Sequence, residues 1–467
     1  MRRITLVTAV AALLAAPAGA HAQDGSHVAK ASLFGLSPLA LSTVPGIGEN
    51  LEYLGGANTF TGGHSVIEGD RLYVGAYGLG MRVFDISEPA SPVELGTITR
   101  DGARADAPPD AIDVGGRKLA VLNGTNRTGG TNQTTTTRTE WFDVTDPSSP
   151  TLLSQFVGAT DGESHNGDIV DKRRIWIPSG GSGENGLRIY DITPTLRTDA
   201  ESCETVANVS DASDGSGNPC APVKLFTGNP GTLWEDSPHR GDKPVGEPFT
   251  HTHDVEIYTD YPVAGRGERD IMLLAEGGNY IGNGDTGSAF VIDITDPTDP
   301  EVLYRWLHEP GADHHPIRYH HEIQFVDGMP GLALVTDEDL HNGCGSAGGV
   351  VALQFAPDLQ SATELSEWFI PAGTPAPVCS VHVFSSRDGF VALGSYNAGL
   401  QIVDYRDPAN PQQAAWHIAP GATAWGALIH GDIIYVGDMS RGLDVFRFSG
   451  FPESKGKDRE KRPKGKP

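Results

Sequence analysis

Histidines recur in this chain in front of short apolar runs. His64 precedes Ser65-Val66-Ile67. His253 lies in His251-Thr252-His253-Asp254-Val255, His321 in Tyr319-His320-His321-Glu322-Ile323, and His382 in Ser380-Val381-His382-Val383-Phe384. His165 lies near the start of a further run. Neutral imidazoles suit zinc, copper, iron or nickel, whereas carboxylates alone suit calcium or magnesium. Carboxylates stand beside these histidines at Asp254 and Glu322, and others follow at Asp313, Asp337, Glu338 and Asp339. A carboxylate neighbour can orient a ligating imidazole through its second nitrogen. His314, His315 and His341 add imidazoles in connecting segments. The chemistry depends on whether the fold brings these positions to one place.

The apolar runs belong to a repeated unit. Its first copy spans Gly80-Met81-Arg82-Val83-Phe84-Asp85 and, after Pro89 and Pro92, Val93-Glu94-Leu95-Gly96. Val83 and Phe84 favour a strand, Asp85 ends it, and the prolines force a turn before a second strand. The unit returns at Trp141-Phe142-Asp143, Phe290-Val291-Ile292-Asp293 and Leu400-Gln401-Ile402-Val403-Asp404. An aspartate-proline turn follows each of these. Weaker copies lie at Leu187–Ile192, Val350–Leu353 and Leu443–Phe446, which makes seven. Repeats worth a few strands each indicate a solenoid or a propeller.

The Leu-x-Ile-Val-Asp core followed by Asp407-Pro408-Ala409-Asn410-Pro411 resembles the LVIVD-repeat proteins, and the resemblance runs from about Leu51 to Phe448. It implies an all-β fold, a β-propeller. It implies no activity, because that family is named for its repeat, and one fold hosts many functions. We expect seven four-stranded blades over residues 51–450. Leu51-Glu52-Tyr53-Leu54-Gly55 is similar to Val93-Glu94-Leu95-Gly96, and the last repeat has no outer strand after it. The N-terminal strand should therefore complete the last blade, since an open ring would leave unpaired edges. Corresponding positions on successive inner strands point around one axis. His64, His165, His253, His321 and His382 should then converge, with Asp110 and Trp425 at the equivalent positions of the second and seventh blades. The residues His251, His314, His315, His320, His341, Glu322 and Asp254 should surround the same face.

The rest of the chain bounds the setting. Met1 to Ala22 reads as a Sec-type signal peptide, with Arg2 and Arg3, an apolar core and an Ala20-His21-Ala22 cleavage site. That core is too short to span a membrane, and no later segment would do so. The protein is expected to be secreted or periplasmic. Residues 23–50 read as a leader, 195–250 as an insertion between the third and fourth blades, and 451–467 as a disordered basic tail. A net charge of −26 excludes the basic face that nucleic acid requires. Four cysteines in an exported chain predict disulfides, Cys203 with Cys220 and Cys344 with Cys379. A monomer is expected.

Two functional readings follow. In the first, the propeller is a binding or scaffold module that meets a protein or small-molecule ligand through its histidine-rich face and the insertion. In the second, the histidines hold copper, iron or zinc at the axis, as in an oxidoreductase or a hydrolase. Carotenoid oxygenases and the selenium-binding or methanethiol oxidase group place histidine-ligated metal at a propeller axis. This chain is similar to them only in that placement, so no residue role carries over. Imidazoles that bond backbone instead would be struts between blades.

Overall fold

In the computed structural model, residues 46–76, 79–99, 109–126, 136–158, 167–180, 186–196, 222–246, 248–277, 287–308, 319–340, 344–346 and 348–452 are described. The strands form seven antiparallel sheets arranged in a ring. Blade 1 runs from its inner strand Gly62–Glu68 through Arg71–Ala76 and Gly80–Asp85 to its outer strand Val93–Thr99. Blades 2 to 6 open with Pro109–Val114, Gly167–Val170, His251–Val263, His320–Phe325 and Phe384–Arg387. Blade 7 holds Ala424–His430, Ile433–Asp438 and Gly442–Arg447, and Glu52–Ala57 from the N-terminal side is its outer strand. The expected closure is what the structure shows.

Why the second strands read as nearly unbroken apolar runs is clear from their burial. Each blade buries both faces, one against each neighbour. In blade 1, Leu72 and Val74 pack with Tyr435 and Val445 of blade 7, while Tyr73 packs with Ala120 and Phe142 of blade 2. Clusters of this kind fill all seven junctions between blades. Each fully buried aliphatic or aromatic side chain contributes on the order of 1.5–3 kcal/mol.

The Leu-Gly signature also has a physical cause. In every blade the pairing of the outer strand skips one residue: Leu95, Leu153, Leu225, Leu303, Leu365, Ala414 and Leu54. Each is a β-bulge, which bends and twists the strand. In blade 1 the next residue must be glycine, because a Cβ at Gly96 would lie 1.9 Å from the Pro147 carbonyl oxygen of blade 2. The repeat's aspartate does turn chemistry. Asp85, Asp143, Asp191, Asp293 and Asp404 each accept the backbone N–H two residues on.

Two boundaries differ from expectation. Ile47–Glu49, placed in the leader, is a strand that pairs with Gln412–Ile418 and gives blade 6 a fifth strand. Val223–Gly228, placed in the insertion, is the outer strand of blade 3. The interruption therefore falls inside blade 3, before its last strand, and a short helix, Pro230–Glu235, follows. The aspartate-proline turn that precedes the outer strand in blades 2, 4 and 6 is missing there. The signal region, the tail, Cys203 and Cys220 lie outside the described residues.

A buried network pins the closing strand. Tyr53 donates to Asp444 at 3.0 Å, and Arg441 donates to Asp444 through Nε at 2.7 Å. Burial pushes the Tyr53 phenol up to about 12, and the Asp444 charge adds to this. Tyr53→Phe should lower unfolding free energy by about 1–2 kcal/mol in chemical denaturation, because it leaves Asp444 short of a donor. Nearby, burial pushes Asp438 up to about 7, with Asp444 repulsion adding to it. Between its ordinary value of 3.8 and about 7 the folded chain holds this proton and the unfolded chain does not. That contribution to stability is complete below the lower value and is lost as pH rises to the upper one. Asp438→Asn should remove it, so melting curves at pH 5 and pH 7.5 should differ less than in the wild type.

Candidate functional site

The axial histidines sit where the inner strands break step. Pairing of the first two strands skips residues between Gly62 and Ser65 in blade 1, Thr252 and Asp254 in blade 4, His320 and Ile323 in blade 5, and Ala424 and Gly426 in blade 7. His64, His253, His321 and Trp425 occupy those bulges, which re-aim a side chain out of the regular alternation. His382 precedes the inner strand of blade 6, Phe384–Arg387, rather than opening it, and Val383 bridges to Gly426.

The structure brings four of these imidazoles into one run. Ring centroids lie 4.3 Å apart for His253 and His321, 3.8 Å for His321 and His382, and 5.2 Å for His382 and His64. Trp425 closes the run at 4.0 Å from His382. All four histidines are buried. His165, His314, His315 and His341 lie outside the described residues. His320 does not join the others. It is wholly buried against the edge of Trp306, where burial depresses its ring to about 3, and the His308 and Arg305 charges add to that. His251 bonds the Tyr319 hydroxyl at 3.0 Å, and burial holds it at about 4.

Backbone bonds fix two of the axial rings. His253 donates from Nδ1 to the His321 carbonyl at 2.7 Å, and His382 donates from Nδ1 to the Trp425 carbonyl at 2.9 Å. Each bond joins one blade to the next. In a neutral ring it also settles the tautomer, leaving the lone pair on Nε2. One donor atom each from His253, His321 and Glu338 come within 4.8 Å of one another, all three buried. Glu338 also accepts the Tyr396 hydroxyl. Tyr396 is held at φ +45°, left-handed for a bulky residue, by paired backbone bonds to Ala424, and its ring meets His382 edge-on at 5.5 Å. Such strain clusters at functional sites. Tyr319 meets His253 edge-on at 4.9 Å.

A group of carboxylates shares the inner strands. Donor atoms of Asp254, Glu256 and Glu322 converge within 4.8 Å. Burial pushes Asp168, Glu256 and Glu322 well above the usual carboxylate range, and repulsion among them, Asp254 and Asp110 adds to this. Several of them tie blades together. Asp168 accepts the Ile257 N–H at 3.0 Å, and Glu322 accepts the Phe384 N–H at 3.0 Å. Glu322, expected to orient an imidazole, thus holds the backbone of blade 6 instead. Sequence reasoning missed Asp168, Glu256, Tyr319 and Tyr396 as neighbours of the axis. For Glu256 the signal was available, since it lies two residues after Asp254 in one strand and so shares its face.

Cys344 and Cys379 form the expected disulfide, with Cα atoms 4.9 Å apart. The bond joins the loop before the third strand of blade 5 to the segment that delivers His382. Its ends lie 35 positions apart in the sequence, and its removal in a Cys344→Ser/Cys379→Ser variant should lower stability by about 2–4 kcal/mol in urea unfolding.

Among the described residues no helix is long and apolar enough to cross a membrane. The closed ring of four-stranded blades defines the class, a seven-bladed β-propeller. The family model for the LVIVD repeat matches residues 65–99, the second to outer strands of blade 1 with the end of its inner strand. The chain thus carries an LVIVD repeat within a β-propeller. No curated protein matches its sequence. Among solved structures it is similar to the β-propeller domain of Cps50 (Swd1) from Myceliophteria thermophila, at 12% identity and TM-score 0.51 over 85% of this chain and 99% of that one. The WD40 repeats of RRP9 also match, at 9% identity and TM-score 0.48 over 86% and 99% of the two chains. At such identities the likeness concerns the fold alone.

Proposed function

We propose that this protein is an exported binding propeller that holds a transition-metal ion at its axis, with His253, His321 and Glu338 as ligands. The observation that supports this reading is the convergence of those three buried donors within 4.8 Å. Two imidazoles and one carboxylate suit zinc, iron, copper or nickel better than calcium. Three protein ligands would leave a coordination position for water or for a bound group. The Nδ1 bond of His253 to a carbonyl is the usual support of a ligating histidine. Tyr396 and Tyr319 would offer hydroxyl and ring contacts to whatever the metal holds. The signal-peptide reading and the disulfide both favour a compartment outside the cytoplasm.

A second reading has its own observation. The blade-to-blade bonds of His253 and His382 are those of struts, and a ring of struts would leave binding to the mouth alone. Metal titration separates the two. Untagged protein stripped with chelator and titrated with Zn2+ or Cu2+, followed by elemental analysis, should retain an equivalent that His321→Asn and Glu338→Gln each lose. The expected loss of affinity is at least about tenfold. Equal uptake by wild type and both variants would return the histidines to the strut role.

A further inference from the structure

A second donor set lies between the outer strands of blades 4 and 5. His308 directly follows the outer strand Glu301–Leu307, and its side chain is wholly buried. Its Nδ1 lies 3.5 Å from Glu364 Oε2, and its Nε2 lies 4.0 Å from Glu367 Oε1. One donor atom from each residue falls within 4.8 Å of the others. Both glutamates are on the outer strand of blade 5, Ala362–Trp368.

Their spacing is informative. Residues three apart in a regular strand face opposite ways. Here the bulge at Leu365 inserts one residue between them and returns Glu364 and Glu367 to one face. Every blade has this bulge, but the flanking pair is acidic only in blade 5. Blade 1 has Glu94 and Thr97, blade 3 has Lys224 and Thr227, blade 4 has Val302 and Arg305, and blade 6 has Gln413 and Trp416. The repeat's architecture thus requires no such pair.

An independent observation comes from His320. It packs on the same indole as His308, with ring centroids 5.3 Å and 5.5 Å from Trp306. It is wholly buried, and neither ring nitrogen has a hydrogen-bond partner. A buried polar group without a partner is costly, and in a native protein it points to an ion or a water. Arg305 is engaged with Glu276 at 3.0 Å and with Ser288 at 2.8 Å. We propose that His308, Glu364 and Glu367 form a divalent transition-metal site that staples blade 4 to blade 5, with the imidazole of His320 on the same indole beside it. A divalent ion would balance the two carboxylates, and one imidazole with two carboxylates suits zinc, manganese or iron(II).

The test uses full-length protein carrying His321→Asn, so that the axial ligands do not contribute, or Glu338→Gln if that parent does not fold. The chelator-stripped parent should take up about one Zn2+ per chain by calorimetry and melt at a higher temperature when Zn2+ is added. Adding Glu367→Gln, which keeps shape and removes charge, should weaken uptake at least about tenfold and abolish the shift. Glu364→Gln should do the same. A parent that binds no Zn2+ below millimolar concentration overturns the proposal and leaves His308 as an ion-pair partner of the two glutamates. Uptake unchanged by both substitutions also overturns it.

Discussion

The structure depends on sheets that have no solvent side. A blade buried on both faces is stable only between two others, so the ring has no natural place to stop. An incomplete turn would leave two apolar faces and two strand edges in water. Closing the ring with a strand from the other end of the chain removes both liabilities, and the chain closes blade 7 with Glu52–Ala57. The seam is therefore where polar specificity is concentrated. Arg441 and Asp444 are buried there and linked to half-buried Tyr53, and register at the seam depends on them. Hydrophobic burial alone would tolerate a strand shifted along its neighbour, whereas a buried charge with fixed partners does not.

Bulges at two radii divide the labour. The outer set repeats in all seven blades and carries small or branched apolar residues, so its role is shape. The inner set lies near the axis and carries His64, His253, His321 and Trp425. The inner strand is the edge of its sheet, so some of its backbone groups lack ladder partners, and side chains of the neighbouring blade meet several such needs. His253 reaches the His321 carbonyl, Asp168 the Ile257 N–H, Tyr258 the Phe325 N–H, and Ser385 the Ile429 N–H. The polar residues near the axis are thus stitches between blades as well as candidates for chemistry.

This dual use explains what could be read from the sequence. The repeat, the blade count and the closing strand follow from local patterns: alternation, aspartate turns and a Leu-Gly pair that recurs at Leu54-Gly55. The disulfide followed from two connections on one face of adjacent blades. Histidines in front of inner strands were legible too. Their partners were less so: Glu338 stood among several carboxylates with nothing to single it out, and Tyr396 reaches the axis from a loop whose path no local pattern specifies. The outer strand of blade 3 was lost for a related reason. Val223–Gly228 is separated from the rest of its blade by a long segment and has no aspartate-proline turn before it, so nothing local marks it as a continuation. His320 and His321 show the limit most clearly. They are adjacent in sequence, yet the bulge sends one to the axis run and leaves the other against Trp306.

A strut and a ligand are compatible roles for one imidazole, since they use different nitrogens. An N–H bonded to a carbonyl fixes the ring and defines where the remaining lone pair lies. A ring fixed by its neighbour in this way needs little reorganisation to bind an ion. The same logic bears on the acidic residues beside it. Asp168, Glu256 and Glu322 are held largely by bonds between blades, and burial favours their neutral forms. Neutral imidazole is the form that coordinates metal, and the bonds of these acids join the blades that carry it.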